Sequence, residues 1–136
     1  MTDDEIRDLL STPRTWAVVG CSPQPSRDSH RIAALLQARG NRVLPVNPAA
    51  AGEEILGERV HRDVREIGER VDVVDIFRRA DAAGAHVDEA IAIGATTVWM
   101  QLGVIDETAA QRARAAGLQV AMDRCPAIEV RRLGLA

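Results

Sequence analysis

The chain consists of short apolar runs that alternate with stretches of helical periodicity. The apolar runs cover residues 16–20, 42–47, 71–77, 97–101 and 118–123. Three intervening helices have an Asp near the predicted start and a Gly near the predicted end, namely Asp28 and Gly40, Asp81 and Gly94, and Asp106 and Gly117. Strands that alternate with helices predict a parallel sheet with helices on both faces, a doubly wound, three-layer αβα fold of the α/β class.

Two further helices and a short strand complete this pattern. Thr2 and Glu5 have the spacing of a capping box and predict an N-terminal helix, and residues 126–133 predict a closing helix. Residues 59–61 are predicted as a short edge strand, followed by a brief turn or helix over residues 63–68. The sheet then has five to six mostly parallel strands, in the Rossmann order 3-2-1-4-5-6 if all six form.

Length and composition predict one domain over residues 1–136. The chain has a formal net charge of −3, one Phe and no Tyr, which argues against a nucleic-acid or anionic-membrane partner. No run approaches the about 18 apolar residues of a membrane span. The first five residues are acidic rather than basic. We therefore expect no leader peptide, and we expect a cytoplasmic location.

The basic residues exclude several kinds of chemistry. All 17 of them are arginine, and the chain contains no lysine. Schiff-base catalysis, attachment of pyridoxal phosphate and the lysine of a P-loop are therefore excluded.

The most informative segment is the end of the first strand, where the apolar run stops at Gly20 and a helix follows. Ser26 or Asp28 is predicted to cap that helix. A helix N-terminus after a strand is a site for phosphate, because its N–H groups and dipole favour anions. The dinucleotide fingerprint is absent, since Ser22 and Pro25 stand where it has its second and third glycines. The segment predicts a phosphate site but not a standard NAD site.

Unusual polar residues follow the other strands as well. In a doubly wound sheet the carboxyl ends of the strands face the ligand. The residues at these ends are Cys21, Ser22, Arg27, Asn47, Pro48, Arg78, Arg79, Gln101, Gly103, Arg124 and Cys125. A nucleotide-sized anion could contact most of them. The plainer alternatives are that Ser22 and Arg27 cap and solvate a helix, and that Arg78 is simply solvated.

Catalytic groups are not evident. The second strand ends without the acid that binds a ribose diol in dehydrogenases, and no Gly-x-Ser-x-Gly motif is present. The three histidines share no metal-ligand spacing with a cysteine or carboxylate, so we expect no metal. Cys21 and Cys125 should end strands about 14 Å apart and stay free thiols. Cys125 is the candidate for a reactive thiol because Arg124 is its neighbour, and a buried structural thiol is the open alternative.

Five segments in sequence resemble a known family. They are residues 18–22 with Pro25 and Arg27, residues 43–48, 73–78 and 98–103, and residues 123–125 with Glu129 and residues 132–133. They resemble the small stand-alone CoA-binding proteins, which are similar to the CoA-binding domain of succinyl-CoA synthetase α subunits.

The resemblance implies a Rossmann-like domain that binds coenzyme A or an acyl-CoA without catalysis. It places the diphosphate at Ser22 and Arg27. The candidate CoA-binding residues are Gly20, Cys21, Ser22, Arg27, Asn47, Pro48, Phe77, Arg78, Gln101 and Cys125, with Asn47 and Pro48 bordering the adenosine and Phe77 and Arg78 the crevice. Relatives often have a basic residue after the Asn-Pro pair, but this chain has Ala49, which leaves the partner of the 3′-phosphate open.

Two other functions stay open from the sequence. One is an NAD(P)-dependent oxidoreductase in which arginines accept a 2′-phosphate, and the other is a regulatory or interaction protein with a vestigial nucleotide crevice. A homodimer is also compatible with the sequence, since Val130, Leu133 and Leu135 could form an apolar surface.

Overall fold

Five helices and seven short strands follow one another along residues 1–136, all of which the computed structural model describes. They are α1 (Asp3–Ser11), β1 (Thr15–Val19), α2 (Asp28–Ala38), β2 (Arg42–Val46), β3 (Glu54–Ile55), β4 (Glu58–Arg59), β5 (Val73–Ile76), α3 (Ala80–Ala92), β6 (Thr97–Met100), α4 (Glu107–Ala115), β7 (Gln119–Ala121) and α5 (Pro126–Arg132). Single 3₁₀ turns lie at Pro48–Ala50 and Val64–Glu66.

The central sheet contains five parallel strands in the order β2-β1-β5-β6-β7. Because β1 pairs with β2 on one side and with β5 on the other, the chain changes direction across the sheet at β1. Such a switch point leaves a crevice at the carboxyl ends of the strands. The predicted α/β fold with helices on both faces is confirmed.

The predicted sixth strand is not part of this sheet. Glu58–Arg59 pairs with Glu54–Ile55 in a separate antiparallel hairpin, and His61 makes only a single parallel bridge to Val46. The His61 N–H donates to the Pro45 carbonyl at 3.0 Å. Since the nitrogen and carbonyl of a strand residue face the same side, the missing N–H of Pro45 lies on this edge and stops the ladder there.

Two apolar layers cover the sheet. On one face α3 and α4 pack over residues such as Val74, Ile76 and Val98. On the other face α1, α2 and α5 pack around Trp16 and Trp99, whose ring centroids are 5.9 Å apart. The sheet is therefore buried on both sides, which explains its continuous apolar runs.

Two helices begin at the capping residues that the sequence predicts. The Thr2 hydroxyl and the Glu5 carboxylate form the predicted capping box of α1, and Asp106 caps α4.

None of the helices has the length and hydropathy that a membrane span requires. The apolar side chains of Val130, Leu133 and Leu135 are partly buried against the core layer of Trp16, so they are not a free apolar surface.

Candidate functional site

A polar cleft of about 550 Å³ lies at the carboxyl ends of β1 and β2. Its lining residues are Gly20, Ser22, Ser26, Arg27, Asp28, Ser29, Asn47 and Phe77. Five residues predicted from the sequence are among them: Gly20, Ser22, Arg27, Asn47 and Phe77. The cleft is at the switch point of the sheet, where the strand order predicts it.

Gly20 shapes the turn from β1 into the cleft. Its φ is +83°, and a Cβ atom at this position would lie 2.4 Å from the Phe77 carbonyl oxygen. The Gly20 N–H donates to the Val46 carbonyl at 2.8 Å. Only glycine combines this backbone conformation with so close an approach to the end of β5.

The start of α2 differs from its prediction, because neither Ser26 nor Asp28 caps the helix. Arg27 is the N-cap residue and makes no side-chain cap bond, while Asp28 is the first helical residue and pairs with Arg31. The prediction was wrong because capping depends on the backbone path of the loop, which the residue types alone do not fix. The first turn of α2 thus faces the cleft without a capping side chain, which suits an anionic ligand.

Ser22 organises the loop between Gly20 and α2. Its N–H donates to Ser29 Oγ at 2.9 Å, and its hydroxyl accepts from the Gln24 N–H at 3.1 Å. The Ser22 carbonyl lies 2.9 Å from His30 Nδ1. These bonds join the loop to the first turn of α2, so the hydroxyl is held at the cleft and keeps its proton available for donation.

Arg27 is exposed at the mouth of the cleft and has no ion-pair or hydrogen-bond partner for its guanidinium group. The neighbouring cation, Arg31, is bound to Asp28 and to the Ser26 carbonyl. Arg27 therefore supplies an uncompensated positive charge next to the first turn of α2.

The Asn47 side chain ties the ends of β1 and β2 together. Its Nδ2 donates to the Cys21 carbonyl at 2.9 Å, and its Oδ1 accepts from the Ala49 N–H at 3.0 Å. Pro48, which follows, is exposed at the start of a 3₁₀ turn and does not line the cleft. Arg78 is exposed outside the cleft lining, although its Cδ lies 3.3 Å from the Cβ position of Gly20.

Cys21 is held in the strand-to-loop turn with its side chain fully buried. Burial, with a contribution from the charge of Asp75, raises the pKa of the Cys21 thiol to about 11. The group is therefore protonated at neutral pH, and it is not among the residues that line the clefts. Its backbone carbonyl, which binds Asn47, is the part that supports the site.

A smaller, more apolar cleft of about 240 Å³ continues from the first one. Phe77 and Asp28 line both clefts, so the two adjoin each other. Ile32, Leu102, Gln101 and Cys125 line the second part. Together the clefts offer a polar end for phosphates and an apolar end for an extended arm.

Cys125 is half-buried at the apolar end and is a free thiol, as is Cys21. The structure keeps the two strands between them that the sequence predicts. The predicted influence of Arg124 on Cys125 has a competitor, because the Arg124 guanidinium donates to Glu129 at 3.0 Å. Glu129 is itself buried and also binds Arg132 at 2.6 Å. These arginines stabilise α5.

Asp75 is a buried acid of the site region that the sequence prediction missed. It lies in the middle of β5 with no exposed surface, and burial raises its pKa well above the usual range of a carboxyl group. The Gln101 amide nitrogen, when it faces the carboxyl group, lies 2.8 Å from Oδ1 and 3.3 Å from Oδ2. Asp75 thus supports Gln101, which lines the apolar cleft. Its signals in the sequence were a polar residue inside an apolar run and its place in the segment over residues 73–78.

Known proteins share both the sequence and the fold of this chain. YneT of Bacillus subtilis is 34% identical over 121 residues, which are 89% of this chain and 88% of YneT. The solved structure of cell-free ID.343 from Thermus thermophilus is 38% identical and superposes with a TM-score of 0.91, covering 98% of this chain and 99% of that one.

A larger enzyme shares the fold. The dinucleotide forming acetyl-coenzyme A synthetase 1 of Ca. Korarchaeum cryptofilum has a TM-score of 0.72 and 24% identity, covering 90% of this chain but 28% of that one. The family model described as a CoA binding domain matches residues 14–131. Because this match spans most of the sequence and agrees with the fold and with the resemblance of its five segments, the chain belongs to the family of CoA binding domains.

Proposed function

We propose that this protein binds coenzyme A or an acyl-CoA reversibly and does no chemistry on it. The observation that carries the proposal is that a polar cleft adjoins an apolar one, with Phe77 in the lining of both. Coenzyme A has the same division, since a charged nucleotide end is joined through a diphosphate to a long, mostly uncharged pantetheine arm.

The diphosphate fits the β1–α2 loop. Arg27 has a guanidinium free of acidic partners, Ser22 has a hydroxyl proton to donate, and the first turn of α2 lacks a capping side chain. A cation and a helix N-terminus together favour a doubly charged group more than either does alone. The adenosine then extends towards Asn47, at the end of β2.

The pantetheine arm then follows the apolar path. It passes Phe77 and Ile32 and ends near Gln101 and Cys125. The Gln101 amide, anchored on Asp75, offers a polar contact for the amides of the arm.

The absence of catalysis is supported by the state of the reactive groups near the clefts. The Cys21 thiol is buried, and its raised pKa keeps it neutral. Asp28 is paired with Arg31, and Asp75 is sealed in the sheet. Cys21 and Asp75 therefore lack the exposure that a nucleophile or general base requires, and the exposed carboxylate of Asp28 is engaged by Arg31.

Calorimetric titration with CoA, acetyl-CoA, NADP and ATP in parallel tests the proposal. We expect saturable binding of CoA or acetyl-CoA and weaker binding of ATP, because ATP lacks the pantetheine arm. Tight binding of NADP with no CoA signal would replace the proposal with the dehydrogenase alternative. If none of the four ligands gave a binding signal, a vestigial crevice would be favoured.

Catalysis needs a separate measurement. We expect acetyl-CoA to be recovered intact after prolonged incubation with the protein, as judged by mass spectrometry. Release of free CoA faster than in a protein-free control would contradict a purely binding role.

A further inference from the structure

A second polar cleft, of about 390 Å³, lies beside the end of β2. Residues 51 and 52 form one side of it, and residues 59–62 with Glu66 form the other. Arg59, His61 and Arg62 make its lining mainly basic, and Glu66 is the one acid that lines it.

The arginines of this cleft differ from their neighbours in the same part of the chain. Arg65 pairs with Asp63, Arg70 pairs with Asp72, and Arg42 on β2 pairs with Glu58 and Glu69. Arg59 and Arg62 are exposed and have no acidic partner within ion-pair distance. Two uncompensated guanidinium groups in one cleft are well suited to a phosphate monoester, which carries a charge of about −1.5 to −2 at neutral pH.

The backbone fixes this basic cleft next to the CoA site. The Asn47 N–H donates to the His61 carbonyl at 2.9 Å, and the His61 N–H donates to Pro45 at 3.0 Å. The hairpin on the far side is closed by the bond from the Val60 N–H to the Glu53 carbonyl at 2.8 Å. Asn47 therefore lines the polar cleft at the ends of β1 and β2, and its backbone holds the basic cleft in place.

We propose that Arg59 and Arg62 bind the 3′-phosphate of coenzyme A in this cleft and so distinguish CoA from nucleotides that lack this group. The inference rests on the proposed function, because it requires the adenosine to lie at the end of β2. The 3′-phosphate and the 5′-diphosphate are attached to the same ribose. With the diphosphate on the β1–α2 loop and the ribose at Asn47, the 3′-phosphate points to the neighbouring edge, where residues 59–62 are.

Titration with CoA and with 3′-dephospho-CoA tests the inference, because the two ligands differ only in that phosphate. We expect the unmodified protein to bind CoA at least about tenfold more tightly, as one to two charge-assisted hydrogen bonds would give. In the double variant Arg59→Ala/Arg62→Ala the two affinities should become equal. The affinity for 3′-dephospho-CoA should not change, which also shows that the variant is folded. Arg114→Ala, an exposed arginine on α4, is the control and should keep the full preference for CoA.

The outcomes separate the two proposals. If both ligands bind the unmodified protein equally well, the 3′-phosphate site is refuted while CoA binding stands. If the double variant loses both ligands to the same degree, the arginines act on the shared part of the ligand and the inference also fails. If neither ligand binds the unmodified protein, the proposed function itself is refuted.

Discussion

The two ends of this molecule use arginine in opposite ways. Around the proposed CoA site three guanidinium groups, those of Arg27, Arg59 and Arg62, have no acidic partner. At the closing helix α5, Arg124 and Arg132 both bind the buried Glu129. In a chain without lysine the residue type alone does not separate a binding arginine from a structural one, whereas a carboxylate partner identifies an arginine whose charge is already engaged.

The two groups of arginines differ because only one of them neutralises a buried carboxylate. Glu129 is 3% exposed and would be costly to bury without partners, so its two guanidinium groups offset the loss of water. Arg132 also reaches Asp3 at 2.8 Å and so links α5 to the start of α1. A solvated arginine such as Arg27 contributes little to folding and keeps its hydrogen-bonding capacity for a ligand. Removing charges at the two ends should therefore change different properties.

Gly20→Ala should have the largest effect, because it removes the shape of the binding end. The left-handed backbone alone costs about 1–3 kcal/mol for a residue with a side chain. The contact of 2.4 Å with the Phe77 carbonyl must also be relieved, which moves the β1–α2 loop. We expect calorimetry to show no CoA binding and urea unfolding to show a lower free energy of unfolding.

Gly94→Ala is the matched control for this change. Gly94 has a similar φ of +75°, but its Cβ position meets no atom within 4 Å. It should share the backbone cost and keep CoA binding. If Gly20→Ala bound CoA as tightly as Gly94→Ala does, the loop would not be the phosphate site.

Arg27→Ala should weaken CoA binding by about 1.5–3 kcal/mol, since it removes a charge-assisted bond to the diphosphate. Arg27→Lys should restore only part of this, because an ammonium group lacks the two-pronged geometry of guanidinium. The melting temperature without ligand should not change. Thermal denaturation with and without CoA measures both effects, and an equal CoA-induced rise in variant and parent would place the phosphates elsewhere.

Glu129→Gln, at the closing helix α5, should lower the stability of the fold and leave CoA binding unchanged. The amide keeps one acceptor oxygen but loses the charge that holds Arg124 and Arg132, so we expect the free energy of unfolding to fall by about 1–2 kcal/mol. CoA affinity should be unchanged, because Glu129 lines neither part of the CoA site. A loss of CoA affinity without a loss of stability would show that the two ends are not separable.

The sequence was sufficient for those parts of the fold that depend on local pattern. The run over residues 97–101 became β6, and Thr2 with Glu5 became a capping box, because each depends on residues close in sequence. The strand order also followed, since parallel βαβ units have few alternatives. The predicted edge strand did not join the sheet for two reasons. Residues 58–59 pair with residues 54–55 in an antiparallel hairpin, and Pro45 has no N–H to donate to a neighbouring strand.

The site was predicted less completely than the fold. Gly20, Ser22 and Arg27 lie in the cleft because the loop after a first strand has a defined place in this architecture. The direction of the Cys21 side chain, the uncapped start of α2 and the support of Gln101 by Asp75 all depend on packing between distant elements. Side-chain pairing decides such features, and it is set by the folded structure rather than by spacing along the chain.

Asp75→Asn adds a third arrangement to the comparison, a buried acid without a cation. Burial raises the pKa of Asp75, so the folded protein holds this proton more tightly than the unfolded chain does. Stability from this group is present below the unfolded pKa of about 3.9 and is lost as pH rises. Asparagine can bond to Gln101 without titrating, so the variant's advantage in free energy of unfolding should grow from about pH 4 to neutrality. Asp63→Asn is the control of opposite sign, because Arg65 lowers the pKa of Asp63. The stability from Asp63 is present above the unfolded pKa of about 3.9 and is lost as pH falls, so the deficit of this variant should stay constant towards neutrality and shrink at lower pH. Urea unfolding at several pH values measures both, and a pH-independent difference for Asp75→Asn would mean that this carboxyl group is already ionised in the folded protein.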